Sequence, residues 1–482
     1  MQAKLCATVT GTTTQELRAA RDQVVGADLI ELRLDYVHRP DVIGALADRS
    51  SPVVITCRPT WEGGQFDGSE EERRAFLTQA LDLGAEYVDL EWGGGFNDLI
   101  RAREGRNIVL STHEFKGMPN DLVDRYRAMR ATGAEIVKVA VHVTKLSDML
   151  QLRDIDVSLN ETKRIVIGMG SAGIASRVLP DLFGSCWTYA GKGFAPGQID
   201  LNRMIKEFRV RDITSNTEIY GVLGSPLGHS LSPVMHNAGF ASIGRNAVYL
   251  PFEAYDVEDF LTVAKAFSVN GVSVTAPFKE KAVEHLSTYD NFCSQINAVN
   301  TLRYDKNGWN GINTDVPGFL EPLSSQVNLT NSRAAILGNG GAARAVAVAL
   351  ISLGVAVTIY GRNQEKSKEV ARLVDCSFEG WPPPEDSWDL LVNTTPIGTY
   401  PNVNASPLPD GPFNGRIVYD LVYNPLVTRL LADASAAGCK TIGGLRMLVS
   451  QALRQFEWWT GKALPRQVFE KAVESHLNYV SN

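Results

Sequence analysis

The chain has 482 residues, of which 44% are hydrophobic and 21% are charged, and its formal net charge is −7. This composition is typical of globular proteins, and the length suggests about three domains. No stretch is basic enough to follow a phosphate backbone, so a nucleic-acid partner is not expected. The longest uncharged run, residues 345–361, contains Gly354 and predicts a helix followed by a strand rather than a membrane span.

The cysteines indicate a reducing compartment. They are scattered along the chain without a CxxC pair, at Cys6, Cys57, Cys186, Cys293, Cys376 and Cys439. That spacing predicts neither disulfides nor a structural zinc site. The chain enters a strand-like segment at residues 5–9 without a preceding basic region and apolar core. We therefore expect no signal peptide and a cytoplasmic protein.

Residues 1–213 alternate between strand-like and helix-like segments. The predicted strands are residues 4–9, 28–34, 53–58, 87–92, 107–113, 136–141, 164–169 and 186–191. Strict alternation of strand and helix predicts a parallel sheet, and eight such units in about 200 residues predict a closed (β/α)8 TIM barrel. An open, doubly wound sheet is the alternative.

One predicted strand carries a lysine among apolar residues. Lys138 lies in the middle of IVKVAV, residues 136–141, which has the composition of a strand buried on both faces. Burial favours the neutral amine of lysine, and a neutral amine can attack a ketone to form an iminium. The alternative is a structural lysine paired with a barrel carboxylate such as Glu31 or Glu91.

Further polar side chains stand where the predicted barrel strands end, which is where barrel enzymes have their active sites. They are Glu31, Arg33, Arg58, Glu91 and His113. A histidine beside an amine nucleophile suits proton transfer near neutral pH, and arginines suit a carboxylate substrate. Taken singly, each residue has a structural explanation, such as an ion pair between Glu31 and Arg33. Their convergence on one end of a barrel favours an active site.

These segments resemble type I 3-dehydroquinate dehydratase over residues 1–205. The motifs that carry the resemblance are IELRLD (30–35), CRPTWEGG (57–64), YVDLE (87–91), STH (111–113), IVKVA (136–140), IGMG (167–170), SR (176–177) and APGQ (195–198). The resemblance implies that Lys138 forms a Schiff base with the substrate ketone. It implies that His113 moves a proton from the adjacent carbon to the leaving hydroxyl, and that Glu91 assists and orients His113.

The same resemblance implies the residues that bind the ring hydroxyls and the carboxylate of the substrate. They are Glu31, Arg33, Arg58, Arg177 and Gln198. Phe194 departs from the family pattern, because the loop often carries serine at its position. No metal is required for this chemistry, and the histidines show no HExxH spacing.

A short polar linker ends near Thr217, and a glycine-rich fingerprint follows later in the chain. Residues 333–337 predict a strand, 338–343 read GNGGAA, 344–353 predict a helix, and 356–360 predict a second strand. This order is the context in which such glycines bind a dinucleotide, since they let the backbone approach a pyrophosphate. We expect cofactor contacts from Gly338, Gly340, Gly341, Ala342 and Ala343.

The end of the second strand helps to choose the cofactor. NAD sites usually carry Asp or Glu there, whereas this chain has Arg362 and Asn363, which favours the 2′-phosphate of NADP. A solvated surface arginine is the alternative. Further contacts on the cofactor side are predicted from Asn393, Thr394, Thr395 and Gly444.

Polar clusters outside the fingerprint suit a polyhydroxylated ring acid. They resemble shikimate dehydrogenase from residue 219 to near the C-terminus, in SPLGHSLSP (225–233), VTAPFKE (274–280), NAVNT (297–301), NTD (313–315), DLVY (420–423) and GLRMLVSQ (444–451). The resemblance implies a carboxylate site at Ser230 and Ser232, ring-hydroxyl contacts from Thr275, Asn300, Asp315 and Gln451, and closure of the site by Tyr423.

It also implies that Lys279 and Asp315 form the catalytic pair. Lys279 would transfer a proton to the carbonyl oxygen as hydride arrives, and Asp315 would orient the substrate and the lysine. By itself, Lys279 would be taken for a surface lysine after a Pro-Phe turn. The predicted lobes are 218–320, completed by 441–482, for the substrate and 321–440 for NADP; Ser273 stands where many relatives carry Asn.

Together the two halves predict a bifunctional shikimate-pathway enzyme. The barrel would convert 3-dehydroquinate to 3-dehydroshikimate, and the second half would reduce 3-dehydroshikimate to shikimate with NADPH. We expect a monomer or a homodimer, without a nucleic-acid or membrane partner. The alternatives are a ligand-sensing regulator, a quinate-oxidising enzyme that uses NAD, and a chain with one active and one scaffold half. A decayed regulator would have lost Lys138, His113, Lys279 or Asp315, and all four are present.

Overall fold

The computed structural model describes residues 2–155, 163–324 and 329–481. Three sheets order this part of the chain, one of eight strands and two of six. Their strands lie in the ranges 4–190, 218–312 and 333–442. The sheets therefore follow one another along the sequence without exchanging strands.

The first sheet is wholly parallel and closes on itself. Its strands are β1 Lys4–Val9, β2 Leu29–Arg33, β3 Val53–Thr56, β4 Tyr87–Glu91, β5 Ile108–Glu114, β6 Ile136–His142, β7 Lys163–Met169 and β8 Trp187–Ala190. Each of β1 to β7 pairs with its neighbour in sequence, and β8 pairs with β1. A parallel bridge between Arg164 and Ser185 links β7 to the segment before β8. The predicted TIM barrel is confirmed, with all eight strands where the sequence placed them.

The helices of the barrel half are short and mostly lie where polar segments were predicted. They are α1 Thr14–Asp22, α2 Val42–Leu46, α3 Glu70–Asp82, α4 Asn97–Ala102, α5 Leu122–Ala131, α6 Asp148–Arg153 and α7 Ile174–Val178. Ser69 and Glu72 form a capping box that starts α3, which satisfies two backbone N–H groups. Gly84 follows this helix with a φ of +79°, a conformation that glycine adopts without a steric penalty.

Apolar side chains fill the barrel interior, and their cluster extends to Met169 at the carboxyl end of β7. The cluster includes Cys6, Leu29, Val54, Val109, Ile136, Ala140, Ile165 and Trp187. Since side chains two residues apart share a face of a strand, Lys138 points inward between Ile136 and Ala140. The same alternation turns Asp89 and Glu91 of β4 inward.

The second sheet is mixed. Its strands are β9 Glu218–Gly224, β10 Ala247–Glu253, β11 Val269–Val274, β12 Thr288–Tyr289, β13 Thr301–Asp305 and β14 Gly308–Ile312, in the order β10-β9-β11-β13-β14-β12. β13 is antiparallel to β11 and β14. The helices of this region are α8 Ser232–Ser242, α9 Val257–Ala266, α10 Asn291–Ile296 and α11 Asp315–Ser324.

The third sheet is parallel and has the Rossmann-type order that the fingerprint predicts. Its strands are β15 Arg333–Leu337, β16 Ala356–Tyr360, β17 Ser377–Glu379, β18 Leu390–Asn393, β19 Ile417–Asp420 and β20 Lys440–Ile442, in the order β17-β16-β15-β18-β19-β20. The remaining helices are α12 Gly341–Ser352, α13 Gln364–Val374, α14 Arg429–Ala436, α15 Leu445–Thr460 and α16 Arg466–Ser481. The strand order reverses between β15 and β18, which is where such sheets bind their ligands.

The chain divides into two compact units. The first comprises Met1–Gly221, Ser225–Pro233 and Asn246–Val269, so it joins the barrel to β10 and α9. The second comprises Val222–Gly224, Val234–Arg245 and Asn270–Asn482. Within the second unit, α15 contacts the mixed sheet, where Trp459 Nε1 donates to the carbonyl of Leu302 at 2.9 Å. The domain ranges 1–213, 218–320 with 441–482, and 321–440 stay predictions.

Over the ranges that the structure describes, every helix is too short or too polar to cross a bilayer.

Candidate active sites

A cavity at the carboxyl ends of the barrel strands collects most of the predicted residues. Its lining includes Glu31, Arg33, Arg58, His113, Lys138, Arg177 and Gln198. Glu31 and Arg33 lie on β2, His113 on β5 and Lys138 on β6, and Arg58 is the second residue after β3. The other two come from α7 and from the loop after β8. Glu91 of the predicted set is fully buried and does not line this cavity, whereas Glu62 does.

Lys138 is buried at the centre of the site and has a carboxylate partner. Its side-chain nitrogen lies 2.9 Å from Asp89 Oδ2 and 4.4 Å from the ring centre of Tyr189. Arg58 Nη2 also lies 3.1 Å from Asp89 Oδ1. Burial opposes ionisation of Asp89, but Arg58 and Lys138 outweigh it and hold the pKa of that carboxyl well below its usual value. The partner is therefore Asp89, and not Glu31 or Glu91 as the alternative interpretation of Lys138 proposed.

The carboxylate that touches His113 is Glu62. Its Oε2 lies 2.7 Å from His113 Nδ1 and accepts the backbone N–H of His113 at 2.9 Å. The structure thus places Glu62, rather than the expected Glu91, in contact with His113. Glu91 accepts a hydrogen bond from Arg73 of α3, and its Oε1 lies 3.5 Å from Arg58 Nη1. Its side chain therefore contacts these two arginines and does not line the cavity. Glu62 reaches the histidine because the short helical turn Thr60–Glu62 follows β3 over the strand ends.

The site keeps its histidine neutral and its inner glutamates protonated more readily than usual. Burial lowers the pKa of His113 well below its ordinary value, and the nearby cations Arg58 and Lys138 lower it further. Burial raises the pKa of Glu62 to about 7, against the attraction of Arg58. It likewise raises the pKa of Glu91 to about 7. A neutral imidazole next to a proton-binding carboxyl is suited to accept and return a proton.

Arg177 is a buried cation without a carboxylate partner among the described residues. It is 2% exposed, its Nε makes no hydrogen bond there, and its Nη2 donates to the carbonyl of Pro196 at 3.1 Å. Burial alone lowers the pKa of Arg177 to about 10. An arginine buried in this way is costly unless an anion joins it, so the cavity is prepared for a negatively charged group.

The remaining predicted residues of the cavity are fixed by local contacts. Arg33 makes a two-point contact with Asp35 at 2.9 and 2.7 Å, rather than with Glu31. Glu31 instead accepts from the hydroxyls of Thr8 at 2.7 Å and Thr56 at 2.8 Å. These side chains are therefore held in place before any ligand enters.

The loop after β8 carries Phe194 in place of the usual serine, and a backbone hydrogen bond holds this residue. The backbone N–H of Phe194 donates to Gln198 Oε1 at 3.0 Å. Its ring packs edge-on against Tyr36 at 6.1 Å between ring centres. Phe194 therefore offers the cavity an apolar surface and no hydroxyl.

We expect the raised pKa of Glu62 to make the barrel less stable as the pH rises. Its folded-state pKa of about 7 lies above the ordinary value of 4.5, so the unfolded chain loses the proton first. The resulting stabilisation is complete below pH 4.5 and is lost as the pH rises to about 7. Relative to Glu62→Gln, the wild type should lose up to about 3 kcal/mol of unfolding free energy over this interval.

Urea unfolding of both proteins at pH 4.5, 6, 7 and 8 measures this difference. Glu71→Gln, at an exposed position on α3, serves as the control and should leave the pH dependence unchanged. A gap between wild type and Glu62→Gln that stays constant with pH would contradict the prediction.

In the second unit, Lys279 and Asp315 form the pair that the sequence predicts. Lys279 Nζ lies 2.6 Å from Asp315 Oδ2, and Asn300 Nδ2 donates to Asp315 Oδ1 at 2.8 Å. Asp315 is the first residue of α11, and Asn313 Oδ1 accepts its backbone N–H at 3.0 Å. The carboxylate is therefore held from both sides, with the amine of Lys279 partly accessible at 21% side-chain exposure.

Gln451 is joined to this region through a residue that sequence reasoning missed. Gln455 Nε2 donates to Gln451 Oε1 at 2.7 Å, and Gln455 Oε1 accepts from the hydroxyl of Ser273 at 2.8 Å. Gln455 lies one helical turn after Gln451 on α15, and that spacing is the signal that could have found it. Ser273, at the position of the usual Asn, thus supports the glutamine pair.

The other predicted substrate-binding residues of this half lie in different segments, and each has its own contacts. Thr275 donates its backbone N–H to the carbonyl of Leu223 at 2.8 Å. Burial raises the pKa of Tyr423 above its ordinary value, so the phenol is protonated. Ser230 and Ser232 flank the start of α8, and Ser230 Oγ accepts the backbone N–H of Ser232 at 3.4 Å. The two serines belong to the first compact unit, and Thr275 and Tyr423 belong to the second.

The glycine-rich turn fits a phosphate group. Gly338 has a φ of +117°, and a Cβ there would lie 2.5 Å from Thr394 Oγ1. α12 starts at Gly341, three residues before the predicted start, and no side chain caps it. Its first backbone N–H groups therefore remain available to an anion at the positive end of the helix. Arg362 is exposed two residues after the end of β16.

Several of the predicted cofactor residues have structural partners. Asn363 caps α13, and Thr394 Oγ1 donates to the carbonyl of Leu337 at 2.7 Å. Asn393 is buried, and its amide group donates to Asp420 Oδ1 at 2.9 Å and accepts from Thr395 Oγ1 at 2.7 Å.

Ala343 and Gly444 are both tightly packed. Ala343 lies in the apolar core beneath α12, whereas Ala342 is in the same first turn but not fully buried. A Cβ on Gly444 would lie 2.3 Å from the carbonyl oxygen of Leu421, so only glycine fits there. The cofactor contacts expected from these positions stay predictions.

Together, these features define a class of protein: a β/α barrel with a buried lysine in its cavity, on the same chain as a Rossmann-type dinucleotide-binding lobe. Comparison with known families agrees. The type I 3-dehydroquinase family model matches residues 5–215, the shikimate dehydrogenase substrate-binding domain matches 222–302, and the shikimate 5′-dehydrogenase C-terminal domain matches 444–474.

Comparison with individual relatives identifies the family within this class. The bifunctional 3-dehydroquinate dehydratase/shikimate dehydrogenase, chloroplastic, of Arabidopsis thaliana is 31% identical over 491 residues, which cover 94% of this chain and 81% of the relative. The shikimate dehydrogenase (NADP(+)) of Methanothermobacter thermautotrophicus is 38% identical over 280 residues, covering 55% of this chain and 99% of the relative. A crystal structure of a shikimate dehydrogenase in complex with NADP+ matches with a TM-score of 0.51 and 34% identity, covering 55% of this chain and 97% of that one. The chain belongs to the bifunctional 3-dehydroquinate dehydratase/shikimate dehydrogenase family.

Proposed function

We propose that Lys138 is the Schiff-base lysine of the dehydratase and that Lys279 is the proton donor of the dehydrogenase. The protein is a lyase that converts 3-dehydroquinate to 3-dehydroshikimate and an NADP-dependent oxidoreductase that reduces 3-dehydroshikimate to shikimate. The observation that carries the proposal for the barrel is a buried lysine in one cavity with a neutral histidine and with an arginine that has no carboxylate partner among the described residues.

In the barrel, Arg177 receives the substrate carboxylate, which supplies the anion that the guanidinium lacks. That contact orients the ring so that its ketone approaches Lys138. The Lys138 ammonium first loses a proton to solvent; its amine then attacks the carbonyl carbon, water leaves, and an iminium forms. The iminium then acidifies the hydrogens on the neighbouring carbon.

His113 carries the proton through the elimination. The neutral imidazole takes the proton from the carbon next to the iminium and returns it to the departing hydroxyl, which leaves as water. Glu62 Oε2 and Arg58 Nη1 both lie 2.7 Å from His113 Nδ1, so these two side chains orient the imidazole. Hydrolysis of the iminium releases 3-dehydroshikimate and restores the Lys138 amine.

In the dehydrogenase, side chains of the protein orient the substrate and supply a proton. Bound NADPH supplies the hydride. Lys279 gives a proton to the carbonyl oxygen, and Asp315, fixed by Asn300, holds both the lysine and a ring hydroxyl. Gln451 is presented by Gln455 as a further partner for the ring hydroxyls. Ser230 and Ser232 are proposed to receive the carboxylate.

Trapping with borohydride tests the role of Lys138. Reduction of the enzyme in the presence of 3-dehydroquinate should fix the ligand covalently on the peptide that contains Lys138, as read by peptide mass mapping. Trapping without substrate is the control. Elimination of water without any adduct on Lys138 would refute the iminium mechanism.

Arg362 should set the preference for NADPH. Because a hydrogen bond between charged groups is worth more than a neutral one, Arg362→Ser should raise the KM for NADPH by about 10- to 100-fold. The KM for NADH should change little, since NADH has no 2′-phosphate. Steady-state reduction of 3-dehydroshikimate with each cofactor measures both values.

Arg372→Ser provides the matched control for this prediction. Arg372 is also exposed and lies on α13, the helix that follows Arg362, and its loss should leave both KM values near those of the wild type. Equal losses with NADPH and NADH in Arg362→Ser would contradict the assignment.

We also propose a cytoplasmic location and a monomeric or homodimeric state. The location is supported by the cysteines, all of which are free thiols in the structure. Size-exclusion chromatography with light scattering would determine the number of subunits.

A further inference from the structure

The carboxylate of Glu253 bridges a barrel turn and a dehydrogenase loop within the first compact unit. Glu253 is the last residue of β10. Its Oε1 accepts from the hydroxyl of Ser171 at 2.8 Å, and its Oε2 accepts from the backbone N–H of Leu227 at 2.9 Å. Ser171 follows β7 of the barrel, and Leu227 lies between β9 and α8.

On the barrel side, this contact reaches the element that carries Arg177. Ser171 begins the helical turn Ser171–Gly173, which leads directly into α7. Ser176 Oγ donates to the carbonyl of Gly173 at 2.7 Å and accepts from the N–H of Gly168 at 2.8 Å. The turn and the residue before Arg177 are thus tied to each other and to β7.

On the dehydrogenase side, the contact reaches the predicted carboxylate site. The carbonyl of Leu227 accepts the backbone N–H of Ser230 at 3.0 Å. Leu227 is therefore held at its N–H by Glu253 and at its carbonyl by Ser230. A shift of Glu253 would move the turn on which Ser230 stands.

A second carboxylate anchors the same segment to the barrel independently of Glu253. Asp259 of α9 is 8% exposed and accepts the backbone N–H groups of Leu146 and Ser147, both at 2.9 Å. These residues follow β6, the strand of Lys138. Arg153 Nη1 adds a bond to the carbonyl of Ala266 at 2.9 Å. The β10–α9 segment is therefore anchored to the barrel by other contacts. From this anchored segment, Glu253 reaches the turn at Ser171 and the loop at Leu227.

We propose that Glu253 is a positioning residue shared by both active sites, holding the turn before Arg177 with one oxygen and the turn before Ser230 with the other. The proposal rests on the carboxylate-binding roles proposed above for Arg177 and Ser230. It assigns to a dehydrogenase residue an effect on substrate binding in the dehydratase.

Kinetics of full-length variants test the proposal. Glu253→Ala should raise the KM for 3-dehydroquinate and the KM for 3-dehydroshikimate by about 2- to 10-fold each, the net worth of one hydrogen bond per site, with both kcat values near those of the wild type. Ser171→Ala removes only the barrel contact and should raise only the KM for 3-dehydroquinate. Glu253→Gln should keep both KM values near those of the wild type. Its amide can donate to the Ser171 hydroxyl while its oxygen accepts from the backbone N–H of Leu227.

Glu258→Ala, at an exposed position on α9, is the matched control and should behave as wild type. Arg177→Lys is measured in parallel. A wild-type KM for 3-dehydroquinate in Arg177→Lys would overturn the role of Arg177 itself. A raised KM in Arg177→Lys, with Ser171→Ala and Glu253→Ala both at wild-type values, would overturn the positioning role of Glu253. Because Ser171 is exposed, its variant keeps the test decisive even where Glu253→Ala folds poorly.

Discussion

Replacing Lys138 with methionine should abolish the dehydratase while leaving the dehydrogenase active. Methionine fills nearly the same space but offers no amine, so neither the iminium nor the acidified neighbouring hydrogen can form. Loss of a covalent nucleophile of this kind lowers kcat by about 10⁴- to 10⁶-fold. Formation of 3-dehydroshikimate is followed directly, and reduction of added 3-dehydroshikimate reports on the second half of the same sample.

Lys116→Met provides the control for Lys138, because Lys116 is exposed on the loop after β5 in the same half. It should retain full activity in both assays. Persistent dehydration by Lys138→Met at more than a few percent of the wild-type rate would exclude Lys138 as the nucleophile. Retained dehydrogenase activity shows that the variant protein folds.

The second large effect is expected from Lys279→Met. Without the amine, the carbonyl oxygen of 3-dehydroshikimate must take its proton from water, which should lower the dehydrogenase kcat by about 10²- to 10⁴-fold. Asp315 keeps its bond from Asn300, so the KM should change less than kcat. The dehydratase should be unaffected.

Lys281→Met is the matched control for Lys279. It lies two residues further along the same loop, is exposed, and should keep wild-type kinetics. If both lysine variants lost activity equally, general disturbance of the loop rather than loss of the proton donor would be the cause.

The barrel and its lysine could be predicted from the sequence because both depend on local patterns. Alternation within a strand places Lys138 on the inward face with Ile136 and Ala140, and the regular return of apolar strands predicts closure. The Rossmann-type lobe follows in the same way from strand, glycines, helix and strand. These patterns concern residues close together in the chain.

The carboxylate partners of the barrel site could not be predicted from the same patterns. Asp89 and Glu91 both point inward from β4, and in the sheet register Glu91 and Lys138 each pair with Ser111. Glu91 is nevertheless bonded to Arg73, which reaches it from α3, so Lys138 pairs with Asp89 instead. Such a choice depends on a helix that is distant in sequence from β6.

The contact between Glu62 and His113 could not be predicted for a related reason. Glu62 lies in a loop, where no period relates sequence position to direction, and the course of the turn Thr60–Glu62 decides its contact. Gln455 was likewise missed, although its spacing from Gln451 on α15 places both on one helix face.

The lone guanidinium of Arg177 also bears on how the protein should be handled. A buried cation with no counter-charge among the described residues is a source of instability that a bound anion removes. Any small anion that reaches it binds the folded barrel and not the unfolded chain, so the melting temperature of the barrel should rise with its concentration. Sulfate or phosphate buffers should therefore protect the protein in storage and, by the same contact, compete with 3-dehydroquinate in the assay.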